Sequence, residues 1–164
     1  MINNTDDILI FFVSCAFHEL GHLIAMFISG AESREVYISG LGIKIVQSRN
    51  NMISVWRTLI ILLSGSLFNF LIFLLGYKIL SPEILTVNLI LCIFNMLPFR
   101  NLDGGSILIC IGEILNADYI FEIILKVFSV IILIAVLILI YIYGFEIIPA
   151  GAVILYYCIS EFFD

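Results

Sequence analysis

The stretch ILIFFVSCAFHELGHLIAMFI, residues 8–28, decides the fold and contains both histidines of the chain. As a helix rising 1.5 Å per residue, it is long enough to cross a hydrocarbon core of about 30 Å. The residues ahead of it, Asn3 to Asp7, are acidic rather than basic, and no small-residue cleavage site follows. We therefore predict a retained transmembrane helix and not a signal peptide.

Within this stretch, His18-Glu19-Leu20-Gly21-His22 places three ionisable side chains at membrane depth. Helical positions i and i+4 lie about 40° apart on one face, where two imidazoles can share one cation. Glu19 lies beside that face, where its carboxylate can act as a general base in metal-assisted hydrolysis. Each buried ionisable group costs about 2.5 to 3.5 kcal/mol even on a lenient insertion scale. A metal site is therefore favoured over the alternative, two histidines hydrogen-bonded to neighbouring helices.

The composition is that of an integral membrane protein. Hydrophobic residues make up 63% of the 164 positions, charged residues 12%, and the mean hydropathy is +1.22. Soluble domains are nearer half apolar and a quarter charged, so that class is excluded. No basic tract for nucleic acid is present. The four cysteines are scattered singly, which predicts small buried apolar residues and no disulfide framework.

The apolar runs predict an all-α polytopic membrane protein with about five transmembrane segments, one of them broken, and a short membrane-associated β-hairpin after the first. We interpret residues 1–164 as one domain, with a core over 8–115 and two further transmembrane helices over 120–162. The predicted segments are Ile8 to Ser29, Thr58 to Tyr77, Ile84 to Phe99 continuing through Ser106 to Leu115, Ile120 to Tyr143, and Phe145 to Phe162.

Two regions of this layout are irregular. Pro98 and the pair Gly104-Gly105 interrupt the third segment, and a membrane tolerates such a break only where protein or a watery cavity satisfies the backbone. Glu32 to Ser54 mixes strand-favouring residues with polar ones and predicts the β-hairpin. An exposed linker is the alternative for that region.

Basic residues predict the orientation. With the N-terminus outside, the inner side holds six Lys and Arg and the outer side one. The active site would then open towards the cytoplasm.

A catalytic zinc normally takes three protein ligands and keeps a fourth position for water, so one ligand is missing. Among the remaining acids, Asp103 is the best candidate, since it follows the break at Pro98 and precedes two glycines that permit close backbone approach. An ordinary turn aspartate is an equally good interpretation of the local sequence.

Together, His18-Glu19-Leu20-Gly21-His22, Asn95-Met96-Leu97-Pro98 and Leu102-Asp103-Gly104-Gly105 resemble the site-2 proteases, intramembrane zinc metalloproteases with H-E-x-x-H on one span and N-x-x-P…L-D-G on another. The resemblance covers the first span to about Leu115. It implies that Zn²⁺ is bound by His18, His22 and Asp103, and that Glu19 is the catalytic base. The compact layout is similar to the bacterial subgroup that processes sporulation sigma-factor precursors, which implies a bacterial cell membrane.

Gly65 to Asn69 is similar to the family's G-x-x-x-N element, with Ser66 where a proline is frequent. The resemblance implies a substrate-binding role for Asn69, and Asn95 holds either substrate or the broken segment. Asn69 bridging two helices is the alternative. Family members usually carry a span before the histidine-bearing one, whereas Ile8 follows only seven residues. Either that additional span is dispensable, or a regulatory membrane partner supplies the surface that it would provide.

The predicted function is hydrolysis of a peptide bond in or near the transmembrane segment of a single-span protein or membrane-tethered transcription regulator, with the lipid bilayer as surroundings. The alternative is a non-proteolytic zinc-binding membrane protein, for metal transport or as a membrane chaperone. The residues do not identify the substrate or the oligomeric state.

Overall fold

A computed structural model describes residues 4–30, 35–39, 42–46, 54–144 and 148–163. These residues form six α-helices and two short strands. In chain order the elements are α1 (Asn4–Ile28), β1 (Glu35–Ser39), β2 (Gly42–Val46), α2 (Val55–Gly76), α3 (Pro82–Asn95), α4 (Asp103–Leu115), α5 (Asp118–Tyr143) and α6 (Ile148–Phe163). The chain divides into two compact units, Met1–Leu97 and Pro98–Asp164.

Three helices of the described residues are long and apolar enough to cross a membrane. They cover Asp6–Ile28, Val55–Gly76 and Asp118–Tyr143. Their apolar side chains are largely exposed, as Phe27 (88%) and Leu75 (71%) illustrate. An exposed apolar surface of this extent suits contact with lipid and not with water. The predicted membrane character is therefore confirmed.

The predicted fold class is correct in being all-α, but the predicted number of transmembrane segments is wrong. Three candidate spans, not about five, are found in the described part of the chain. With 14 residues, α3 ends at Asn95, short of the predicted Phe99, and α6 has 16 residues. At 1.5 Å per residue, neither covers about 30 Å of hydrocarbon.

The predicted membrane-associated β-hairpin is corrected as well. β1 and β2 have five residues each and form one two-stranded sheet. All other regular elements of the described residues are helices. The fold class is therefore all-α with one short antiparallel sheet, and the predicted association of that sheet with the membrane is not supported.

The first unit is built from α1, α2 and α3, each of which packs against the other two. Gly21 allows α1 and α2 to approach closely, since a Cβ built on it would lie 2.7 Å from the Ser64 carbonyl oxygen and 2.8 Å from the Phe68 Cβ. Helices in membranes commonly associate through such small residues. The Asn88 amide donates to the Ser14 hydroxyl over 3.0 Å and so joins α3 to α1.

Between α3 and α4 the backbone is not helical, where the sequence predicts an interruption. Pro98 disfavours helical conformation at the residue before it, and α3 ends with the Met96 N–H donating to the Cys92 carbonyl over 3.3 Å. Helical structure resumes at Asp103, after Leu102 in extended conformation. In the second unit, α4 packs on α5 and α5 on α6.

All four cysteines are free, as predicted. Cys110 and Cys158 are buried, whereas Cys15 and Cys92 are half-buried.

Candidate metal centre

His18 and His22 lie on one face of α1, as their spacing predicts, and each is only 6% exposed. Their Nε2 atoms are 3.2 Å apart, with ring planes inclined at 85°. Two nitrogens that bind one tetrahedral zinc at 2.0–2.1 Å would be about 3.3 Å apart. The separation of the two rings therefore fits a shared metal ion.

The tautomer of His22 is set by the backbone of α2. Its Nδ1 lies 2.7 Å from the Ile61 carbonyl oxygen, which can only accept, so Nδ1 carries the proton. The Nε2 atom then keeps its lone pair and faces His18. A histidine ligand is commonly oriented by this kind of bond from its second nitrogen. The same geometry would accommodate a hydrogen bond from His18 to His22, and metal binding distinguishes the two interpretations.

The carbonyl of Ile61 is itself held in place. The Ser64 hydroxyl donates to it over 2.5 Å, within the same turn of α2. One carbonyl oxygen thus accepts from both the imidazole and the hydroxyl. The orientation of His22 therefore depends on the relative position of α1 and α2.

Gly65 forms the wall against which the His22 ring packs. A Cβ built on Gly65 would overlap the ring, meeting Nε2 and lying 2.6 Å from Cε1. Both groups are buried, so neither can move away at little cost. The absence of a side chain at position 65 is a requirement of this site.

We expect Gly65→Ala to displace the His22 ring from the Ile61 carbonyl and to weaken metal binding about 10- to 100-fold, the range found when an orienting partner of a ligand is lost. Zinc competition against a calibrated chelator measures the effect. Gly112→Ala is the matched control, because the three atoms nearest to the built Cβ belong to the Phe121 side chain and lie 3.2 Å or more away. Equal zinc affinity for the two variants would contradict the prediction.

The remaining predicted site residues also have defined places. Glu19 is half-buried on α1, next to His18. Asp103 is the first residue of α4 and is half-buried, where the positive end of the helix dipole stabilises a carboxylate. In the described part of the chain, His18, His22 and Asp103 form a group that could hold a metal ion.

The two asparagines differ in their surroundings. Asn69 is fully buried on α2, and neither its amide nitrogen nor its oxygen has a hydrogen-bond partner among the described residues. Asn95 is half-buried, and its amide donates to the Leu91 carbonyl of the same helix over 3.0 Å. Buried polar atoms are normally paired, so an amide with both of its polar atoms unpaired is unusual, and a ligand would explain it.

Sequence reasoning missed the Ile61 carbonyl, since a main-chain acceptor has no signature in the residue type. It also missed Glu161, a buried acid near the end of the last apolar run. The rarity of a carboxylate in such a run was a usable signal.

No protein-family model, curated protein or solved structure matches the chain. The resemblance to site-2 proteases therefore rests on the sequence motifs alone.

Proposed function

We propose that this chain is an intramembrane zinc metalloendopeptidase of the site-2 protease type, which hydrolyses a peptide bond in or near the transmembrane segment of a membrane protein. The observation that supports it most is the buried pair His18 and His22, with Nε2 atoms 3.2 Å apart and the tautomer of His22 set by the Ile61 carbonyl. Both histidines lie in a helix long and apolar enough to span a membrane. Glu19, which lies between the two histidines in the sequence, favours a hydrolase over a simple metal binder.

His18, His22 and Asp103 would hold the metal. When bound, zinc supplies a Lewis acid that polarises the scissile carbonyl and favours ionisation of a water. Two neutral imidazoles and one carboxylate are a donor set found in zinc hydrolases. Burial of both histidines also keeps the site in a low-dielectric environment, where such polarisation is most effective.

Glu19 performs the proton transfers. Its carboxylate accepts a proton from the attacking water as the oxygen–carbon bond forms, and it returns the proton to the amine nitrogen as the carbon–nitrogen bond breaks. The carboxylate is regenerated at the end of the cycle, and water is the only co-reactant. The position of Glu19 one residue after His18 keeps it beside the metal-binding face of α1.

Asn69 is suited to holding an unwound substrate. A transmembrane helix must unfold locally before its backbone can be cleaved, and the exposed N–H and C=O groups then need partners. A carboxamide offers both a donor and an acceptor. The unpaired amide atoms of Asn69 support this role, and Asn95, which keeps an acceptor oxygen, is the second residue proposed for it.

We expect Asn69→Leu to raise stability while it lowers cleavage. A buried amide without partners costs roughly 1–3 kcal/mol, which leucine of similar volume avoids. Thermal unfolding in detergent micelles and the release of membrane-derived peptides in cells measure the two effects. Asn88→Leu is the matched control, because it removes real bonds to Ser14 and Ile84 and should reduce stability. A loss of stability in Asn69→Leu with unchanged cleavage would indicate a helix-bridging role instead.

The substrate proposed is a single-span or membrane-tethered protein, and the protease is proposed to be multi-pass with its site open to the cytoplasm. Four of the seven Lys and Arg residues lie after the first candidate span and before or at the start of the second, which favours the cytoplasmic side for that loop.

The test compares membrane-derived peptides and full-length membrane proteins in cells that express the wild-type chain and cells that express Glu19→Gln. Peptides that vanish in the variant, while purified protein keeps its zinc, support the protease. Identical peptide profiles with equal zinc would favour a non-proteolytic zinc-binding membrane protein.

A further inference from the structure

One face of α6 holds the segment that precedes Asp103. Tyr157, Ser160 and Glu161 are spaced i, i+3 and i+4, so they lie on the same side of the helix. The Tyr157 ring packs against Phe99, with ring centroids 5.8 Å apart. The Asn101 amide donates to the Ser160 hydroxyl over 3.2 Å. We call residues 98–102 the ligand loop.

Glu161 makes the strongest of these contacts. Its carboxylate accepts the backbone N–H of Arg100 over 2.9 Å, and its second oxygen lies 3.6 Å from the Arg100 Nε. The side chain is only 2% exposed. A buried carboxylate is costly unless it is both paired and hydrogen-bonded, and here it has a guanidinium and a main-chain donor.

Arg100 also reaches a second acid, which provides a comparison. Its guanidinium lies 3.4 Å from the Glu122 carboxylate on α5, but that carboxylate is 48% exposed. An exposed ion pair of this kind contributes little. Both glutamates therefore contact the same arginine, Glu161 from a buried position and Glu122 from an exposed one.

The other side of the ligand loop is bonded to the first turn of α4. The Ser106 hydroxyl donates to the Arg100 carbonyl over 3.3 Å, and the Leu102 N–H donates to the Phe99 carbonyl over 2.8 Å. A Cβ on Gly105 would overlap the Phe99 carbonyl and lie 2.6 Å from the Arg100 nitrogen. The backbone of Arg100 is thus in contact with both α6 and the turn that begins with Asp103.

We infer that Glu161 is a positioning residue for the metal site: through the Arg100 backbone it fixes the ligand loop, and the loop fixes where Asp103 presents its carboxylate. The inference deepens the proposed function and rests on it. Glu161 acts through Asp103 and is not itself a ligand.

The experiment uses the full chain in lipid nanodiscs with two readouts. In metal-free protein, hydrogen exchange of the peptide that contains Arg100 reports on the loop. Zinc affinity against a competing chelator reports on the site. We expect Glu161→Ala to speed exchange of the Arg100 amide at least about tenfold. We expect it to weaken zinc binding by no more than the roughly 10- to 100-fold that the loss of a ligand's direct hydrogen-bond partner causes. Glu161→Gln keeps an acceptor oxygen, so it should recover part of the slow exchange and part of the zinc affinity. Glu122→Gln is the matched control and should leave both unchanged.

A double-mutant cycle separates positioning from general stability. If Glu161 acts through Asp103, Glu161→Ala has no further effect on zinc affinity in an Asp103→Ala background. An equal loss in both backgrounds would show a merely structural role and overturn the inference. So would unchanged exchange or unchanged affinity in Glu161→Ala. If that variant does not fold, Glu161→Gln decides by the same criteria. A wild-type chain that binds no zinc would overturn the proposed function as well. If zinc binding by the wild type depends on Asp103 but Glu161→Ala leaves the affinity unchanged, only the inference is overturned.

Discussion

Replacing Glu19 by glutamine is expected to lower peptide-bond cleavage about 10²- to 10⁴-fold, the contribution of a positioned general base, while zinc binding is retained. The two side chains have the same shape, but the glutamine amide cannot accept a proton from water. The bond that orients His22, to the Ile61 carbonyl of α2, does not involve Glu19. This variant should therefore have a much lower cleavage rate and an unchanged zinc content.

The control for Glu19→Gln is Glu113→Gln, the same chemical change at an exposed position of α4. It should leave cleavage and zinc unaltered. Single-turnover cleavage of a reporter identified from the peptide comparison gives the rate, and metal analysis of purified protein gives the zinc content. A Glu19→Gln chain with the wild-type rate would assign the base elsewhere, and one that also loses zinc would make Glu19 part of the metal site.

The residues near one another in sequence were the ones that could be predicted well. The spacing of His18 and His22 determines their relation on a helix whatever surrounds it, and Pro98 predicts the interruption from a local steric conflict. The limits of the short helices were harder. The apolar run continues past Asn95 to Phe99, but the turn at Met96 ends α3 first. Hydropathy cannot distinguish a helix that ends at Asn95 from one that ends at Phe99, since the residues on both sides of Asn95 are apolar.

The long-range partners that orient the site residues could not be predicted. The bond from His22 to the Ile61 carbonyl joins residues 39 apart, and the bond from Arg100 to Glu161 joins residues 61 apart. Each depends on how helices pack, and every residue offers the same carbonyl or N–H to such a contact. The sequence therefore predicts the candidate ligands but not the groups that orient them.

Removing any one of His18, His22 and Asp103 is expected to weaken zinc binding by more than about 100-fold, because the loss of a direct ligand should exceed the 10- to 100-fold effect of its outer-shell partners. The variants are His18→Ala, His22→Ala and Asp103→Ala. Thr86→Ala is the control, since it removes only an exposed hydrogen bond to the Pro82 carbonyl within α3. Zinc competition with a chelator and the visible absorption of the Co²⁺ form measure affinity and ligand number.

The pattern across these variants decides between a metal site and a hydrogen-bonded histidine pair. Ligands of one ion act as a unit, so His18→Ala combined with His22→Ala should weaken zinc far less than the sum of the two single effects. If the rings are joined only by a hydrogen bond over 3.2 Å, zinc is substoichiometric in the wild type and either substitution changes stability alone. Tight zinc that survives Asp103→Ala but not His22→Ala would keep the histidine pair and place the third ligand elsewhere.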